Sequence, residues 1–136
     1  MHSDKTVKIW DTNTGNILHS LVGHTSRIWD VCSNDNGSFV ASGSGDGTVK
    51  LWDLKYKCHC ALTLKSTEDN IHGDVYSVDF HPGYGHIAAG GYDKVLRLYD
   101  IHAGKLVKSF GGHELSISKA IFNPIGNLLI SGYSNH

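Results

Sequence analysis

No apolar run in this sequence approaches the ~18 residues that a membrane-spanning helix requires. Met1-His2-Ser3-Asp4-Lys5 lacks the apolar core of a secretory leader. Both absences predict an intracellular protein of the cytoplasm or nucleus with no membrane association. Cysteine is scarce: Cys32, Cys58 and Cys60 are odd in number and lack a framework spacing. That excludes a disulfide scaffold and fits a reducing compartment. Only 2 of the 136 residues are proline, while 16 are glycine, a balance that suits strands joined by tight turns. Charge is sparse too, with 18% charged residues and a formal net charge of −1. There is no basic excess or stripe, and the longest Lys-rich stretch, Lys50 to Lys57, is interrupted by Asp53. This argues against a nucleic-acid partner. Helical patterning is also missing, since no stretch carries a 3.6-residue apolar period of any length. What remains is a chain that is 40% apolar and 10% aromatic, enough for a core and against disorder.

The apolar residues recur at a long period. Asp4-Lys5-Thr6-Val7-Lys8-Ile9-Trp10-Asp11 aligns with Asp46-Gly47-Thr48-Val49-Lys50-Leu51-Trp52-Asp53 and with Asp93-Lys94-Val95-Leu96-Arg97-Leu98-Tyr99-Asp100, the leading aspartates being 42 and 47 residues apart. A second register aligns Gly23-His24, Ile28 and Val31 with Gly112-His113, Ile117 and Ala120. A third aligns Phe39-Val40-Ala41-Ser42-Gly43 with Ile87-Ala88-Ala89-Gly90-Gly91 and Leu129-Ile130-Ser131-Gly132. Short runs rich in β-branched residues alternate with turn signals such as Asn36-Gly37 and Gly45-Asp46-Gly47. Four short strands per repeat of ~40 residues is the pattern of a propeller blade.

Gly23-His24, then Ser42-Gly43-Ser44-Gly45-Asp46, then Trp52-Asp53 resembles the WD-repeat (WD40) β-propeller family. The resemblance runs over essentially the whole chain. It implies an all-β fold of four-stranded antiparallel blades, about three in one chain and so an incomplete ring. It also implies a structural tetrad of His24, Ser42, Asp46 and Trp52. The chemistry is sound, because an indole N–H can only donate and needs an acceptor when buried. In the third repeat Ala89 replaces the Ser and Tyr99 the Trp, and Ile71, with His72 beside it, takes the place of the His. That blade is expected to lose part of its polar network and to hold by apolar packing. The polar insertion from Lys65 to Asn70 is expected to be a surface loop.

The resemblance further implies a protein-interaction scaffold or adaptor that binds proteins or peptides through one face. Arg27, Trp29, Asp74 and Tyr76 correspond to positions entering inner strands, and Tyr92 and Tyr133 to turn positions. Aromatic residues and Arg favour binding hot spots, although Trp29 and Tyr76 also suit packing between blades. Two readings from other classes stay open: an RNA-binding propeller face, and a hydrolase built from His, Ser and Asp. The hydrolase reading leaves Trp52 and the repeat unexplained and has no Gly-x-Ser-x-Gly elbow, so no enzyme is expected. Cys58-His59-Cys60 lacks zinc spacing and reads as outer-strand cysteines, so neither a metal nor a cofactor is expected.

With strands labelled a to d from the axis outward, the chain divides into a half-blade c–d (1–22), a blade (23–66), a blade (67–111) and a half-blade a–b (112–136). Both ends fall in the same b–c turn. Propellers use four to eight blades, which leaves two expectations. Either the sequence is a piece of a longer propeller, or its complementary half-blades pair between two chains as a homodimer.

Overall fold

The computed structural model describes residues 4–65, 73–83 and 85–133. Their strands follow the alternating runs. The elements are β1 (Thr6–Trp10), β2 (Ile17–Val22), β3 (Ile28–Ser33), β4 (Phe39–Ser44), β5 (Thr48–Asp53), β6 (His59–Lys65), β7 (Val75–Phe80), β8 (His86–Gly91), β9 (Leu96–Asp100), β10 (Lys105–Phe110), β11 (Ile117–Phe122) and β12 (Leu129–Tyr133). They form four antiparallel sheets: β1-β2, β3-β4-β5-β6, β7-β8-β9-β10 and β11-β12. The outer two are half-blades and the inner two are complete. The expected insertion loop at 66–70, and Ile71 and His72, lie outside the described residues.

Each inner strand bulges at the same place, between Ile28 and Asp30, Val75 and Ser77, and Ile117 and Lys119. The bulge frees the third residue to reach the next blade. Asp30 Oδ2 accepts from Val78 N–H at 3.0 Å, and Ser77 Oγ accepts from Ala120 N–H at 3.0 Å. The inner strands are thus stitched one to the next around the axis.

Apolar side chains fill the gaps between sheets. Leu51, Leu64, Val78, Ile87 and Tyr99 form one cluster between the two complete blades. Val7, Leu21, Val40 and Trp52 form another beneath the first half-blade, and Leu96, Ile117 and Ala120 a third beneath the last. Cys32 packs against the first of these clusters. Burial, followed by the charges of Asp79 and Asp30, pushes its thiol up to about 12.

The b–c turns demand a left-handed residue after the aspartate. Gly47 supplies it at φ 82°, whereas Lys5 and Lys94 adopt φ 58° and 70° with a side chain attached. A second strained pair corrects the expectation for Cys58. Lys57 and Cys58 have φ 58° and 48°, so Cys58 lies in a turn and only His59 and Cys60 enter β6.

A left-handed residue with a Cβ costs roughly 1–2 kcal/mol, and a Cβ at Gly47 meets only ordinary contact with the Gly73 carbonyl at 3.5 Å. Gly47→Ala is therefore expected to lower stability by ~1 kcal/mol and Lys94→Gly to raise it by up to ~1 kcal/mol. Chemical denaturation of the two variants checks the opposite signs.

Candidate functional site

The second blade holds a polar relay at its edge. His24 enters after Gly23, where a Cβ would press on the Trp52 ring at 3.1 Å. Asp46, in the turn after β4, accepts His24 Nδ1–H at 2.8 Å and Thr25 N–H at 3.1 Å through Oδ2. Its Oδ1 accepts Thr48 N–H at 2.9 Å and the Thr48 hydroxyl at 2.6 Å. With Nδ1 donating, His24 Nε2 accepts the Ser42 hydroxyl at 2.7 Å. Ser42 Oγ accepts Trp52 Nε1–H at 2.9 Å. Burial pushes the Asp46 carboxyl up. The hydrogen bonds from Thr48 and His24, then from the Thr48 and Thr25 amides, outweigh it and hold the carboxyl below 3.8. The line-up of Asp, His and Ser resembles a hydrolase triad, but Ser42 is fully buried and its oxygen is taken by Trp52. Enclosed in this way, Ser42 joins the indole to the imidazole within the blade.

The other repeats vary the theme. In the third blade, Arg97 Nη2 pairs with Asp93 Oδ2 at 2.6 Å, both nearly buried. Tyr99 fills the aromatic position, its hydroxyl pushed up to about 12 by burial and the Asp93 charge against the opposing pull of Arg97. The third blade therefore does not rest on apolar packing alone: among the described residues, an ion pair holds the turn aspartate. In the last half-blade, His113 Nε2 lies 2.7 Å from Ser131 Oγ. That pair repeats His24–Ser42 without an Asp or a Trp beside it among the described residues. Sequence alignment of Gly112-His113 and Ser131 contained this signal, whereas the Asp93–Arg97 pair could be read only from opposite charges four residues apart.

A second cluster spans the two complete blades on one rim. Trp29 Nε1–H donates to Asp74 Oδ2 at 2.7 Å. The Trp29 and Tyr76 rings meet edge to face, with centroids 5.2 Å apart. Arg27 stacks its guanidinium 5.1 Å above the indole. Tyr92 N–H donates to the Asp74 carbonyl at 2.9 Å, which sets Tyr92 beside the group with its own ring exposed. Burial, then Asp74 and Tyr92, raises the Tyr76 hydroxyl. Trp29 bridges the two blades and leaves 43% of its surface open. Tyr133 stands apart. It ends β12 rather than lying in a turn, and its ring meets His113 at 6.1 Å.

Near the axis, Lys119 Nζ reaches Asp30 Oδ2 at 3.3 Å. Cys58 Sγ and Cys60 Sγ donate to the carbonyls of Leu54 and Leu62. Among the described residues no three His, Cys, Asp or Glu gather closely enough to hold a metal ion, and no helix is long and apolar enough to cross a membrane.

The sequence profile of the WD40 family (WD domain, G-beta repeat) matches residues 15–53, 59–100 and 104–136. Autophagy-related protein 16 of Arabidopsis thaliana is 34% identical over 138 residues, covering 98% of this chain and 25% of that protein. Striatin-3 of Rattus norvegicus and striatin of Homo sapiens are each 31% identical over 98 residues, covering 72% of this chain and 12% of theirs. The chain thus spans a quarter or less of the length of these curated relatives.

Removing the Ser42 hydroxyl orphans a buried indole N–H, a loss expected at about 1–3 kcal/mol for Ser42→Ala. Ser131→Ala, on a half-exposed pair with no indole, is expected to cost less; urea titration of both ranks them. The depressed Asp46 carboxyl has a pH signature. Its contribution is complete above about pH 4 and is lost as pH falls through its folded-state value. Melting temperatures between pH 6 and pH 3 are expected to decline less steeply for Asp46→Asn than for the parent.

Proposed function

Because the chain belongs to the WD40 family, we propose that it acts as a protein-interaction scaffold. Its binding face is the rim that carries Arg27, Trp29, Asp74, Tyr76 and Tyr92. The observation behind this reading is the state of Trp29, which is large, solvent-facing and fixed in place. Asp74 anchors its N–H, Tyr76 abuts its edge and Arg27 covers its face. Exposed aromatics held in one orientation bind with little loss of side-chain freedom. Arg27 has no ion-pair partner among the described residues, so it is free to receive a carboxylate. The ligand chemistry that fits is a peptide with an apolar or aromatic side chain beside an acidic one. This reading needs no cofactor. It puts the protein in the cytoplasm or nucleus, where Cys32, Cys58 and Cys60 remain thiols. It concerns this segment, whatever further domains accompany it.

The test pans random linear peptides displayed on phage against the immobilised chain. Selected peptides are expected to carry an aromatic residue near Asp or Glu. They should lose at least ~30-fold in affinity with Trp29→Ala, the scale of a hot-spot residue, and keep it with His59→Ala on the outer strand. Peptides that bind the Trp29→Ala chain as well as the parent would remove this face from the proposal.

A further inference from the structure

Between the two complete blades lies a narrow cavity of about 20 Å³. Ala89, Arg97 and Tyr99 of the third blade line one side, and Gly47 and Val49 of the second blade line the other. This is the third blade's counterpart of the Ser42 site. Ser42 stands opposite Lys50 in the β4-β5 pairing, and Ala89 stands opposite Arg97 in the β8-β9 pairing. Directly opposed residues put their side chains on one face of a sheet. Tyr99, two residues beyond Arg97, shares that face. The cavity therefore lies on the face where the second blade keeps its hydroxyl.

A second observation is a buried donor without a partner. Arg97 is only 7% exposed. Its Nη2 reaches Asp93 Oδ2 at 2.6 Å, but its Nε–H, shielded from solvent, meets no acceptor among the described residues. A buried N–H in that state is costly, the more so on a charged group. The methyl group of Ala89 cannot accept it. We propose that this cavity binds one water molecule, which replaces the serine hydroxyl that Ala89 lacks: it accepts Arg97 Nε–H and donates to the Asp93 carboxylate.

Size and charge select that ligand. One water needs a cavity of roughly 10–15 Å³ on this measure, so the space suits one water and nothing larger. Apolar cavities stay dry, whereas a bound water takes two to four polar partners. Arg97 Nε–H is the first. The Asp93 carboxylate, which lines the same cavity, is the second. Its Oδ1 takes Val95 N–H at a long 3.3 Å, and a carboxylate has lone pairs for further donors. The Gly73 carbonyl, 3.5 Å from the Cβ position of Gly47 on the facing wall, offers a third. Ions do not fit: an anion would meet Asp74 and Asp93, and a cation would meet Arg97.

The water then does what the serine oxygen does one blade earlier. Ser42 Oγ accepts from Trp52 and donates to His24. The bound water accepts from Arg97 and donates to Asp93. Both blades thus place one neutral oxygen between a buried donor and the network that holds the turn aspartate.

The experiment is water-selective NOE and ROE spectroscopy on the full isotope-labelled chain, read at the Arg97 Nε–H resonance. A long-lived bound water gives cross-peaks of opposite sign in the two spectra, whereas proton exchange with solvent gives the same sign in both. Opposite signs are expected. Ala89→Ser, which brings its own hydroxyl to the cavity, is expected to displace the water and abolish that cross-peak. Its folding equilibrium constant, from urea titration, is expected to hold or to rise by up to ~30-fold, the most that release of one ordered water contributes. A parent chain without the opposite-sign cross-peak at Arg97, or a cross-peak that survives in Ala89→Ser, would overturn the proposal.

Discussion

The indole N–H of Trp52 is the donor around which the second blade is arranged. Trp52 packs its ring into the gap beneath the first half-blade and so leaves water behind. A buried N–H without an acceptor costs about 1–3 kcal/mol. Ser42 supplies the acceptor, which requires its own hydroxyl proton to go to His24 Nε2. That in turn sends His24 Nδ1–H to Asp46. Asp46 ties the b–c turn through Thr48 and the entry loop through Thr25. One donor thus fixes the inner loop, both middle strands and the turn between them. A network with every member satisfied specifies one arrangement in a way that apolar contacts do not.

That fixed edge is why the neighbouring rim can present Trp29 in one orientation. The loop from Gly23 to Arg27, pinned at Thr25, delivers Trp29 at the start of β3. From there the indole reaches across to Asp74 of the next blade. The proposed binding face shares Trp29, Asp74 and Tyr76 with the contact between the two complete blades. The third blade meets the same need with different chemistry. Where Ala89 and Tyr99 replace Ser and Trp, no indole asks for an acceptor, and the turn aspartate is held by Arg97 instead.

Much of this was legible in the sequence because the relay uses four chemically distinct side chains at fixed offsets. His24, Ser42, Asp46 and Trp52 cannot be mistaken for generic core positions, and turn residues such as Gly47 bound the strands closely. Helix-free patterning and the repeat period were enough for the four-stranded sheets. Residues whose roles come from tertiary partners were not legible. The role of Arg97 on β9 emerges only when the fold sets Asp93 beside it. Cys58 reads as a strand residue because nothing in Lys-Cys-His announces two consecutive left-handed residues. The repeat register places Tyr133 in the b–c turn, yet pairing with Ile117 keeps it in β12. The exposure of Trp10 and Val31 depends on which strands stand next to them, information that no single repeat contains.

The central claim is that the second blade is clamped by an aromatic donor handed to a buried relay. Hydrogen exchange of the three indole N–H groups, resolved by two-dimensional NMR, tests it directly. The account predicts that the Trp52 indole exchanges only through global unfolding, and that the Trp29 indole, hydrogen-bonded at an exposed rim, exchanges faster through local opening. A Trp52 indole that exchanges as fast as that of Trp29 would contradict it.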